Sequence, residues 1–147
     1  VHAILVRDGN ETRLFSHGDA GARNVAYDST TGRCHWFDFE MTHPAGLERR
    51  WRQADDLRAL LFSALALVPE DDRRDHAAAM IASYPDAGVL GALYERLSGS
   101  ALDFDTYHLA QSRLEASLHD TIRTMLLELL QRTRASDPEG GGRCPQS

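Results

Sequence analysis

Cysteine is scarce in this chain, with two in 147 residues, Cys34 and Cys144. They lie far apart, and the second sits in a Gly-rich tail. Such a pair makes neither a disulfide framework nor a zinc pattern, and points to reduced thiols in a cytoplasmic protein. Long apolar runs are also missing. The most apolar stretch, LLFSALALV, is less than half the length that crosses a bilayer, and no signal-peptide core is present, so no membrane span is expected. Positive charge is in deficit: 16 Lys plus Arg against 22 Asp plus Glu give a net charge of −6. That balance repels a phosphate backbone and argues against nucleic acid as a partner. There is no internal repeat and no Gly-x-Gly-x-x-Gly, which disfavours a dinucleotide-binding doubly wound fold. What is present, 42% hydrophobic and 26% charged residues, is ordinary for one globular domain with a real core.

The opening VHAILVR is ambiguous between strand and helix and reads like the middle of an element; DGNE breaks it. RLFS reads as a strand that leads into a polar loop. NVAYD, STTG and RCHWFDF form a hairpin signal, two β-prone runs around a turn in which Gly32 can take a positive φ. From Asp55 the period changes. In ADDLRALLFSALALVPE, Leu57, Leu60, Leu61, Ala64, Leu65 and Val68 recur at helical spacing, with Asp55 or Asp56 expected at the N-cap and Pro69 as the stop. Residues 71–84 read as a second helix ending before Pro85, and 86–97 as a third, stopped by SGS. From Phe104 to about Arg134, Leu114, Leu118, Ile122, Met125 and Leu129 keep a helical stripe. The expected organisation is one α+β domain over residues 1–134, a small β-hairpin region followed by a mainly helical bundle. Residues 135–147 are expected to be a disordered tail.

The chemistry gathers in the polar loop. His17, Asp19 and Asn24 read H-x-D-x-x-x-x-N, and an antiparallel hairpin returns Asp38 of WFDFE towards Asn24. Two carboxylates and an amide oxygen at one end of a hairpin suit a hard divalent cation such as Mg²⁺. One further carboxylate can accept or orient the proton of an attacking hydroxyl.

HGDAGARN followed by DFE resembles the catalytic loop and metal-binding motif of the protein-kinase-like superfamily. It is most similar to the compact bacterial lipopolysaccharide kinase, RIO-type and aminoglycoside phosphotransferase branches. The resemblance runs from about Arg13 to Leu65 and implies a kinase-like C-lobe acting on ATP and Mg²⁺. It implies Asp19 as catalytic base, Asn24 and Asp38 as metal and nucleotide ligands, and His17 as a packing residue of the loop. One of Asp55 and Asp56, with Asp56 favoured, would tie down the loop backbone. Eighteen residues precede Asp19, too few for the Gly-rich loop and strand Lys of an N-lobe. The expectation is therefore a fragment, a truncated reading frame or a remnant lobe, with a missing N-lobe or self-association as the implied partner. Glu40 stands in place of the Gly of D-F-G, which disfavours a backbone flip there. Gly18 replaces the Arg that reads an activation-loop phosphate, and no A-P-E follows, so the resemblance implies no regulation by loop phosphorylation.

LERRWR places Arg49, Arg50 and Arg52 around Trp51, where such a lobe faces its acceptor. Arginines suit bidentate binding of carboxylate or phosphate, so an acidic glycan is one expectation; a solvated turn with Arg paired to Glu48 is the other. The expected activity is transfer of a γ-phosphoryl group to a hydroxyl of a glycan, a small molecule or a protein. The alternative is a non-catalytic kinase-like binding or remnant module, with a divergent metal hydrolase third. His35 and His43 near Asp38 match no familiar metal-site spacing. His76 and His108 read as ordinary helix residues, and His119 of LHD as a helix-surface residue. Ser16 and His17 are strand neighbours that point to opposite faces, so they make no nucleophile–base pair.

Overall fold

A computed structural model of the chain describes residues 5–8, 11–14, 16–39, 43, 46–99 and 116–136. Strands β1 (Leu5–Asp8) and β2 (Glu11–Leu14) pair antiparallel with Leu5 opposite Leu14. A polar loop then closes in a 3₁₀ turn, Ala22–Asn24, and runs directly into β3 (Val25–Asp28). β3 pairs antiparallel with β4 (Arg33–Trp36), Val25 opposite Trp36 and Asp28 opposite Arg33. The connecting turn is built by Asp28, whose carboxylate accepts from the Thr30 N–H at 2.9 Å and the Thr31 hydroxyl at 2.7 Å. These bonds, that from Thr31 foremost, hold the Asp28 carboxyl below its ordinary value. Gly32 closes the turn at φ +67°, a conformation that side chains resist.

Among the described residues four helices follow: α1 (Arg49–Leu65), α2 (Arg73–Ala82), α3 (Ala87–Ser98) and α4 (Ala116–Ser136), with a 3₁₀ turn at Glu70–Asp72 before α2. The chain is α+β and mostly helical, with the described strands ahead of the described helices. α3 starts where Asp86 caps it, accepting from the N–H groups of Gly88 at 2.9 Å and Val89 at 3.1 Å. α1 departs from the sequence expectation. It begins at Arg49, and neither Asp55 nor Asp56 is its cap; both lie inside it and are buried. Their carboxylates bond to the loop backbone, to His43 and to arginine side chains rather than to the first-turn N–H groups of α1, so the cap reading is corrected.

The core is helical. Leu57, Leu61, Phe62 and Leu65 of α1 meet Ile81 of α2, Val89, Leu90, Leu93 and Leu97 of α3, and Ile122 and Leu126 of α4. α1 lies against α3, and α3 and α2 both lie against α4. None of the residues of β3 or β4 belongs to this core. No described helix is long and apolar enough to cross a membrane. The proposed start of the last helical region, with His108 and Leu114, lies outside the described residues, as do Glu40 and the segment 137–147 with Cys144.

Candidate functional site

α1 holds the polar loop from both ends. Near the loop's start, the buried Asp56 carboxylate accepts from the His17 N–H at 2.8 Å and the Gly18 N–H at 2.9 Å. Two successive N–H groups aimed at one anion form a nest, and Gly18 supports it with φ +78°. At the loop's end, Ser63 Oγ accepts from the Ala22 N–H at 2.7 Å while donating to the Ala59 carbonyl at 2.6 Å. Asp56 and Ser63 stand two helical turns apart on one face, roughly 10 Å along the axis. Burial pushes the Asp56 carboxyl above its ordinary 3.8, and the two backbone bonds oppose that rise. Of the two adjacent acids, Asp56 is the one that binds the loop backbone.

His17 is buried and tied in two directions. Its Nδ1 accepts from the Asp19 N–H at 3.3 Å, which puts the proton on Nε2, and Nε2 donates to the Phe37 carbonyl at 2.9 Å. The ring packs against Trp36 at 5.3 Å and Phe39 at 4.6 Å between centroids. The loop and the far end of the hairpin are thereby joined through one imidazole.

Asp19 and Asn24 are both buried and in contact. Asn24 Nδ2 donates to the Asp19 backbone carbonyl at 2.8 Å and to Asp19 Oδ2 at 3.2 Å. With its N–H groups directed at Asp19, the Asn24 amide has its oxygen as the acceptor end. Arg23 adds a charge-assisted bond to the same Asp19 Oδ2 at 2.7 Å. Asp19 Oδ1 is buried with no hydrogen-bond partner among the described residues, and such atoms call for an explanation. Asp38 is tied to this pair through the backbone of the residue before it. The Phe37 N–H donates to the Asn24 carbonyl at 3.1 Å, and Asp38 follows immediately, exposed and at φ +62°. A positive φ in a residue with a side chain is uncommon and concentrates at functional positions.

Asp55 faces another way. His43 bridges Asp55 Oδ2 at 3.1 Å through Nε2 and Ser16 Oγ at 3.0 Å through Nδ1. Arg96 of α3 reaches Asp55 Oδ1 at 3.0 Å, and Arg58 stands at 3.5 Å from it. Ser16 and His17, neighbours in sequence, bond to different partners, His43 and Phe37.

Arg49, Arg50 and Arg52 occupy the first turn of α1 rather than a free turn. Arg50 pairs with Glu48 at 3.1 Å, both side chains exposed, and lies 5.4 Å from the ring centroid of the half-buried Trp51. Arg52 is half-buried, and its Nε is shielded with no hydrogen-bond partner among the described residues. That turn holds no acidic residue, so three cations oppose the positive end of the helix dipole.

Among the described residues, no group of three or more His, Cys, Asp or Glu could hold a metal by itself. Asn24 and Asp38 offer one amide and one carboxylate oxygen, a hard-donor set suited to Mg²⁺ when phosphate and water complete the shell. Sequence reasoning overlooked Arg23, Ser63 and the bridging role of His43. Arg23 carried a signal, its position four residues after Asp19; Ser63 carried one in its spacing from Asp56; His43 carried none. Comparison with family models, with curated proteins and with solved structures finds no match to this chain.

Proposed function

We propose that this chain is the C-terminal lobe of a kinase-like phosphotransferase. Asp19 serves as the base that orients an acceptor hydroxyl, and Asn24 and Asp38 hold Mg²⁺ on the phosphates of ATP. The observation that carries the reading is the Asp19 carboxylate. One of its oxygens is fixed by Arg23 and Asn24, while the other is buried and has no partner among the described residues. A carboxylate oriented in this way has one oxygen committed to positioning and one for the proton of a substrate hydroxyl. Asp56, Ser63 and His17 hold the loop that presents it. Bound Mg²⁺ would neutralise phosphate charge as the phosphoryl group moves.

The arginines at the head of α1 support an anionic acceptor. Their charges oppose the helix dipole, so their placement answers a need other than helix stability. An acidic glycan, such as a phosphorylated or carboxylated sugar, suits them.

In an assay with an N-lobe joined or supplied, Asp19→Ala is expected to bind Mg·ATP and to lose at least roughly a hundredfold in kcat. Asp38→Ala is expected to weaken Mg²⁺-dependent nucleotide binding itself. Equal turnover by Asp19→Ala and the parent removes the catalytic assignment. Arg49→Ala and Arg50→Ala should raise the KM of the acceptor more than that of ATP; an unchanged acceptor KM removes their role.

A further inference from the structure

Beyond the residues that would touch metal or substrate, the structure contains buried bonds on either side of Asp38, at Phe37 and at His43. Phe37, immediately before Asp38, is bound on both backbone sides. Its N–H goes to Asn24 and its carbonyl receives the His17 ring, at 3.1 and 2.9 Å. Five residues beyond Asp38, the ring of His43 is bound on both nitrogens, by Ser16 and Asp55 at 3.0 and 3.1 Å. The two anchors converge on adjacent residues of one loop, since His17 takes the first and Ser16 the second. Asp55 fixes the second anchor to α1 and, through Arg96, to α3.

A Ser–His–Asp chain invites a hydrolytic reading, and the geometry opposes it. The Ser16 residue is buried, and the next two backbone N–H groups, those of His17 and Gly18, are spent on Asp56. An oxyanion there would lack those donors. What the bridge does is mechanical. The side chains of His43, Asp55 and Asp56 are 7%, 6% and 1% exposed, so water competes little with these bonds. A residue at positive φ resists relaxation only when the chain around it is held, and Asp38 is bracketed by held residues.

We propose that His43 is a positioning residue for the magnesium site. Bonded to Ser16 and Asp55, it ties a point five residues beyond Asp38 to the loop that carries Asp19, and so restricts where Asp38 stands relative to Asn24. The proposal rests on the reading of Asn24 and Asp38 as the metal ligands. Outer partners that orient a ligand typically change metal affinity by about 10- to 100-fold when lost.

The test uses Mn²⁺ with ADP as the probe, followed by titration calorimetry, and residue-resolved amide exchange in the same samples. His43→Leu and the milder Ser16→Ala are compared with His43→Gln, whose amide can bond at both ends. The expected result is a Mn²⁺ affinity about tenfold weaker in His43→Leu, a smaller loss in Ser16→Ala, and substantial recovery in His43→Gln. The Phe37 amide should exchange faster in His43→Leu, while amides at Leu93 and Leu126 keep their parental rates. An unchanged Phe37 amide overturns the bracket. Faster local exchange with unchanged Mn²⁺ affinity overturns the positioning role. Parent protein that binds no Mn²⁺, or binds it equally after Asp38→Ala, overturns the magnesium reading and the positioning role with it.

Discussion

At the scale of single residues, buried charge is what organises this molecule. Asp56 is almost fully enclosed, yet it has two backbone donors from a loop that is distant in sequence. Removing it strands both N–H groups, each costing about 1–3 kcal/mol when left without an acceptor. Asp56→Ala should therefore lower unfolding free energy by roughly 2–4 kcal/mol in urea titrations, and Asp56→Asn by less, because one acceptor oxygen survives. Two other titrating groups give the stability a pH dependence. Burial against Phe62 and its neighbours depresses the His119 imidazole below its ordinary 6.5. The unfolded chain then binds a proton that the folded chain refuses, so this contribution is complete above 6.5 and is lost as the pH falls through the depressed value. Burial, chiefly, raises Tyr84 to about 12 from 10.0, so its contribution is complete below 10.0 and is lost as the pH rises through about 12. Chemical denaturation across pH should show both slopes, the acid one flattened by His119→Gln and the alkaline one by Tyr84→Phe.

At the scale of elements, legibility followed local signals. α3 could be read closely because its start is a capping Asp86 and its end meets Gly99, both visible in the string. Asp86→Ala should cost about 1 kcal/mol by the loss of that cap, read as a shift in the urea midpoint with the slope unchanged. The β3–β4 hairpin was legible for the same reason, through its Ser/Thr/Gly turn. The head of α1 was not. Glu48 makes no side-chain cap bond, and the first turn is arginine-rich, so the apolar period announces the helix only at its buried middle. The paired acids Asp55 and Asp56 look like a cap in sequence because both uses place Asp ahead of an apolar stripe. Only tertiary contact tells one from the other. The same reason hid His43, whose two partners lie 27 and 12 residues away in the chain. The loop motif itself was legible, since Asp19 and Asn24 touch within one turn of chain.

At the scale of the whole molecule, every one of the 16 basic residues is arginine. A phosphate-pairing strand Lys, which kinases employ, is thus not among these 147 residues. The half-buried Arg58 and Arg96 serve the Asp55 carboxylate, and the planar guanidinium suits that task. Leu61 is fully enclosed among the helices, as are Leu65, Leu93, Ile122 and Leu126. Leu61→Ala should cost about 2–5 kcal/mol in thermal or urea unfolding.

That core has a further consequence. Among the described residues the buried apolar side chains belong to the helices apart from Ala20, while Asn24 and Asp38 flank a ribbon of two strands, β3 and β4. Such a ribbon draws little cohesion from its own pairing. Warming should then loosen the ribbon before it melts the helices: the indole emission of Trp36, read in Trp51→Phe, changes first, and helical ellipticity collapses several degrees later. The hairpin and the helical core then lose order at different temperatures, so the chain around Asn24 and Asp38 loosens while the helices still look folded.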